Sequence, residues 1–153
     1  MTNQLKKDLP RGHVGEDIVM EYLKREGHKS VKRIIGNHKE YDILIDDGKI
    51  SIEVKMDVMS KETGNIAVEH ENYGKPSGIK TTTANYWAFI YWYKDEWYGG
   101  IFQTKALKKI CKKAWSVNGG DDMASKIYLI SVSKAHKLMD TWIIPKRLAK
   151  KIK

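Results

Sequence analysis

The chain has 153 residues, 41% of them apolar, and a formal net charge of +9 with 24 lysines against 4 arginines. This fits one ordinary globular domain, 1–153, with chain enough for a real core, and the lysine excess attracts polyanions through counterion release. Anionic membranes share that attraction, but no apolar run is long enough to span a bilayer, and no repeat, low-complexity tract or linker divides the chain.

Met1-Thr2-Asn3-Gln4-Leu5-Lys6-Lys7-Asp8 has no apolar signal core, so a cytoplasmic location is expected, in a bacterium, an archaeon or a phage-infected cell. Arg11-Gly12-His13-Val14-Gly15-Glu16 opens a predicted helix that stops near Gly27. Val14, Ile18, Val19, Tyr22 and Leu23 form its buried stripe. Glu16 lies on the border of that stripe in the first turn. There it either serves the helix dipole or reaches a site beside the sheet. Val31-Lys32-Arg33-Ile34-Ile35 predicts a first strand.

The stretch from Tyr41 to Lys55 reads as a β-hairpin turning at Asp47-Gly48. A two-residue loop sets Asp46 against Lys49 and Asp42 against Glu53. Alternation puts Tyr41, Ile43, Ile45, Ile50, Ile52 and Val54 on one apolar face and Asp42, Glu53 and Lys55 on the other. Carboxylates opposed in this way sit about 5 Å apart at Cβ and repel. A cation between them relieves the repulsion, and Mg²⁺ takes such oxygen ligands, completing its shell with water and substrate phosphate. Lys55, on the same face, can orient or deprotonate a water. The plainer alternative is a solvated polar hairpin face.

After Asp57, the Thr63-Gly64-Asn65 break precedes an alternating run with Ile66, Val68 and His70 facing one way, Ala67 and Glu69 the other. Asn72 to Ala84 is rich in glycine, hydroxyls and lysine and reads as a loop suited to a phosphate backbone, with Lys75, Ser77, Lys80 and Thr82 as contacts; a loop without a partner is the alternative. Trp87 to Tyr93 predicts a buried central strand, its aromatics read as core. Trp97 to Gln103 returns beside it. Thr104 caps a predicted helix over 105–114, and Asn118 to Asp122 is a loop. Ile127 to Val132 is a late strand, and Ser133 caps a short helix to Met139. Trp142-Ile143-Ile144-Pro145 leads into a basic tail that either holds phosphates or is solvated. The single Cys111 excludes an internal disulfide, reads as packed, and shares no zinc spacing with His13, His28, His38, His70 and His136.

Asp42 followed by Glu53-Val54-Lys55 across a hairpin resembles the motif of the PD-(D/E)XK nuclease superfamily, with Tyr41 where a proline often stands. Gly12-x-x-Gly15-Glu16 ahead of it looks like the start of archaeal Holliday-junction resolvases. The resemblance implies a restriction-endonuclease-like α/β fold, a mixed central sheet flanked by helices. It implies Asp42, Glu53, the Val54 carbonyl and Glu16 as metal ligands and Lys55 as the catalytic lysine. Resolvase-like nucleases place a further strand after the hairpin, which implies Glu69 beside the metal site and Asn65 near the scissile strand.

The expected function is hydrolysis of DNA phosphodiester bonds with Mg²⁺ or Mn²⁺, structure-selective in the manner of a Holliday-junction resolvase. Cutting a junction symmetrically requires a homodimer. The alternatives are a phage-type or restriction-like nuclease acting on duplex DNA, a catalytically inactive basic DNA-binding module, and an RNA-binding or ribosome-associated protein. Facing carboxylates have no use in the last two.

Overall fold

A computed structural model describes residues 3–36 and 40–152; His38 and residues 1, 2, 37, 39 and 153 lie outside the described residues. In chain order the elements are α1 (Asn3–Arg25), β1 (Lys32–Arg33), β2 (Ile43–Ile45), β3 (Ile50–Met56), α2 (Ser60–Thr63), β4 (Asn65–Asn72), β5 (Lys75–Pro76), β6 (Tyr86–Tyr93), β7 (Glu96–Gln103), α3 (Thr104–Cys111), β8 (Trp115–Gly119), β9 (Ser125–Ser131), α4 (Val132–Leu138), β10 (Asp140–Ile143) and α5 (Lys146–Ala149).

Six strands form the central sheet in the order β1-β2-β3-β6-β7-β10. The β3–β6 pair is parallel and the other pairs are antiparallel, so the sheet is mixed as expected. One face carries α1 and the C-terminal segment, burying Ile18, Val19, Leu23, Ile43, Ile52, Ile90, Trp142, Leu148 and Ile152 together. The other buries Trp87, Phe89, Tyr91 and Phe102 against Leu107 of α3, Ala135 of α4, and Ile66, Val68 and Ile130. Strand β6 is apolar throughout because both of its faces are covered. Phe89 is fully buried, so Phe89→Ala should cost about 3–5 kcal/mol of stability in urea unfolding.

The strands β4 and β9 belong to a second, four-stranded antiparallel sheet in the order β5-β4-β9-β8. Sequence reading foresaw its two long strands but not that they leave the central sheet. Strand β8 was unforeseen, and the expected loop at Asn118 begins inside it. Its sequence Trp115-Ser116-Val117-Asn118-Gly119 holds two apolar residues, and Trp115 is 81% exposed.

Several local expectations need correction. Helix α1 begins at Asn3 rather than Arg11, since Gln4 to Leu9 are mostly strong helix formers. Its stop at Gly27 is as expected: φ is +88° there, and His28 N donates to Leu23 O at 3.1 Å. Tyr41 packs on the face opposite Ile43. Regular pairing of β2 begins only at Ile43, so alternation does not extend back to it. Thr104 lies inside α3 and donates its hydroxyl to Ala84 O at 2.7 Å instead of capping. Ser131, not Ser133, caps α4, its Oγ accepting from Lys134 N at 3.2 Å. The basic tail is anchored: Leu148 and Ile152 are buried, and Arg147 pairs with Glu21 of α1. No described helix is long and apolar enough to cross a membrane.

Candidate functional site

The hairpin register is the one its loop dictates. Ile43 pairs with Ile52 and Ile45 with Ile50, which sets Asp42 against Glu53. Asp46, Asp47 and Gly48 all have positive φ, and Lys49 N donates to Asp46 O at 3.3 Å to close the turn. At the other end the ladder opens just where the acids stand. Asp42 N still donates to Ile52 O at 3.0 Å, but the next amide of β3 on that edge, Val54 N, donates to Asp42 Oδ2 at 2.7 Å. The carboxylate thereby satisfies a backbone amide that lacks a partner strand.

Asp42, Glu53 and Lys55 come together here. Lys55 Nζ lies 3.4 Å from Glu53 Oε1. Burial pushes the Glu53 carboxyl up to about 7; Lys55 pulls it down, and Asp42, hydrogen-bonded to it, pushes it up again. Near neutral pH the Glu53 carboxyl is therefore only partly ionised. A buried carboxyl held beside a second acid is where a hard divalent cation binds, favouring the ionised form. The donor set fits Mg²⁺ or Mn²⁺: two carboxylates and an open side.

That open side is a cleft of about 370 Å³ lined by Glu53, Lys55, Trp87, Glu69, Glu40, Gly78 and Thr81 to Thr83. Parallel pairing sets Glu53 against Trp87 and Lys55 against Phe89. Trp87 forms the floor, with Lys55 Nζ 5.6 Å from its ring centroid and its indole N–H donating to Thr82 Oγ1 at 3.2 Å. Glu69 is fixed by Ser125 Oγ at 2.8 Å and Ser77 Oγ at 3.0 Å, both donating. Gly78 approaches so closely that a Cβ would lie 2.1 Å from Glu69 O, at a φ of +53°. Only glycine fits there. Trp87, Gly78, Thr81, Thr83 and Glu40 were not singled out for the site. The sequence signal for Trp87 was a buried strand, and its place opposite Glu53 depends on a pairing between distant segments.

The remaining candidates are placed as follows. Glu16 is buried, with Oε1 3.3 Å from Arg33 Nε of β1. Gly15 brings α1 onto the sheet; a Cβ there would meet Met56 Cβ at 3.4 Å and Val54 Cγ1 at 3.5 Å. Among the described residues, no three of His, Cys, Asp and Glu stand close enough to hold a metal between them. Thr82 lines the cleft, and Ser77 meets it through Glu69. Lys75 is exposed in β5 and is not among the lining residues. Asn65, at the far end of β4, bonds Thr63 O at 3.2 Å. Lys80 lines a separate hollow beside α3.

No family model matches the chain, and no curated protein matches it. Among solved structures, the fold is similar to that of a bacterial homing endonuclease, I-Ssp6803I. The TM-score is 0.54 at 16% identity, over 91% of this chain and 89% of that one. At that identity the likeness is one of fold, an α/β domain built on a mixed central sheet.

Proposed function

We propose that the chain is a metal-dependent DNA endonuclease of the PD-(D/E)XK type. The observation that carries this is the contact of Asp42, Glu53 and Lys55 at one end of a cleft, with Glu53 raised to about 7. The likeness in fold to a protein named as a homing endonuclease supports it. Asp42 and Glu53 would hold Mg²⁺ or Mn²⁺, with the Val54 carbonyl and Glu16 as the further ligands that the resemblance implies. Such a cation, when bound, polarises the phosphodiester and stabilises the leaving oxygen. Lys55 places the attacking water and holds its developing charge; its ammonium is already steered by Glu53. Thr82 and Ser77 offer hydroxyls to the phosphate backbone at the rim, and Glu69, fixed by two serines, closes the opposite wall.

The proposed substrate is DNA cut internally. Duplex DNA, cut in the manner of a phage-type or restriction-like nuclease, is one candidate. The Gly12-x-x-Gly15-Glu16 pattern favours a four-way junction, which a homodimer would cut in symmetric pairs. Lys55→Met should lower the cleavage rate by about 10²–10⁴ and leave binding of the same DNA intact. Wild type should lose all cleavage in EDTA. Labelled duplex, flap and four-way junction DNA, with Mg²⁺ or EDTA, separate the substrates. Cleavage that persists in EDTA would reject metal dependence, cleavage by folded Lys55→Met at the wild-type rate would reject the role of Lys55, and no cleavage of any of the three DNAs with Mg²⁺ would reject the nuclease reading.

A further inference from the structure

Two further hollows follow the cleft in series, each sharing lining residues with the one before it. The first, of about 420 Å³, shares Thr82 and Thr83 with it and is lined by Lys49, Lys105 and Lys108. The second, of about 280 Å³, shares Lys108 with the first and is lined by Lys80 and Lys112. Among the described residues no carboxylate lines either hollow, whereas Glu40, Glu53 and Glu69 line the cleft. Among the described residues none of these five lysines forms an ion pair.

Helix α3 explains the alignment. Thr104, Leu107 and Cys111 are buried, so Lys105, Lys108 and Lys112, at spacings of three and four, stand on its outer side. They span about 10 Å along the axis, about three base-pair rises of about 3.4 Å along a duplex axis, so more than one backbone phosphate lies within their reach. Like charges so spaced weaken an isolated helix, and an anionic strand along them removes that cost.

We propose that DNA engaged at the cleft runs its backbone across the Thr82–Thr83 rim and along α3, held by Lys49, Lys105, Lys108, Lys80 and Lys112. This rests on the nuclease reading and adds the route and the residues that hold it. The loop 72–84 supplies one wall of the track; the helix supplies most of the charge.

Fluorescence anisotropy with a labelled 30-base-pair duplex in EDTA, across a salt series, tests it without any cleavage. Lys105→Gln/Lys108→Gln/Lys112→Gln should weaken binding at least tenfold. It should also flatten the slope of log affinity against log salt by roughly 2–3, one per lost phosphate contact at about 0.9 each. Lys49→Gln/Lys80→Gln, outside α3 and in one hollow each, should weaken binding in the same sense. Lys134→Gln/Lys137→Gln on α4 is the control and should bind as wild type. The route is overturned if the triple variant binds as wild type, if the α4 control loses as much, or if the dependence appears for duplex RNA and not for DNA. A wild type that binds with this lysine dependence but never cleaves would sink the nuclease reading and leave the track standing.

Discussion

Glu53→Gln should abolish DNA cleavage and yet stabilise the metal-free protein at pH 8. Glutamine keeps the shape but removes the charge that would bind the cation. Loss of cleavage by a factor of 10³ or more is expected, as for removal of a charge that acts on the transition state. The stability gain follows from titration. Glu53 has an ordinary value of 4.5 and is held at about 7 in the fold, so the folded chain binds that proton more tightly than the unfolded one. The Glu53 contribution to metal-free stability is therefore fully present below pH 4.5, falls as pH rises toward 7, and levels off above it. The whole change is on the order of 2–3 kcal/mol. Glutamine cannot ionise, so urea unfolding in EDTA should find Glu53→Gln ahead of wild type at pH 8 by up to that amount and level with it near pH 4.5. Added Mg²⁺ should raise the stability of wild type at pH 8 and leave the variant unchanged, because binding to the native state alone stabilises it. A variant that is less stable than wild type at pH 8 would show that burying the ionised Glu53 carboxylate costs the metal-free fold nothing.

The site was legible to the extent that it is local. Asp42 and Glu53 lie in one hairpin whose loop fixes the register, so period-two alternation was enough to oppose them. Lys55 followed from the same parity. Trp87 did not, because its place against Glu53 comes from a parallel strand whose register no turn sets. The same reason hid the second sheet: β4 and β9 read as strands, but alternation does not say which sheet a strand joins. Asp42 also shows where alternation ends. Tyr41 sits two residues outside the regular ladder and crosses to the opposite face. In the loop 72–84 small and hydroxyl residues suggested close approach, and Gly78 and Thr82 do line the cleft. Lys75 and Asn65, chosen for chemistry without a geometric constraint, do not. The lysines of α3 were visible as a solvated face; their continuity with the cleft needed the packing of α3 on β6 and β7.

Gly99→Ala should cost about 2–4 kcal/mol, although it adds a single methyl to a strand. Gly99 and Gly100 sit in the middle of β7, where glycine weakens a strand, and nothing local explains them. Pairing with β10 does. Trp142 stands opposite Gly99, and a Cβ at Gly99 would lie 2.2 Å from its Cζ2 atom. On the other face a Cβ at Gly100 would lie 2.7 Å from Met139 Sδ. The Trp142 ring cannot simply retreat, because it stacks on Tyr22 of α1 with centroids 3.8 Å apart and planes 2° from parallel. Alanine at 99 must therefore push the indole off Tyr22 and loosen α1 from the sheet. Gly99→Ala/Trp142→Leu should cost less than the sum of the two single changes, because the smaller side chain leaves room for the methyl. Hydrogen exchange should rise first in α1, ahead of β4 and β9. Since Gly15 of α1 packs on Val54 and Met56 of the strand that carries Glu53 and Lys55, cleavage should fall in step with α1 protection. Strict additivity of the two substitutions would mean that the glycine is not there for the tryptophan.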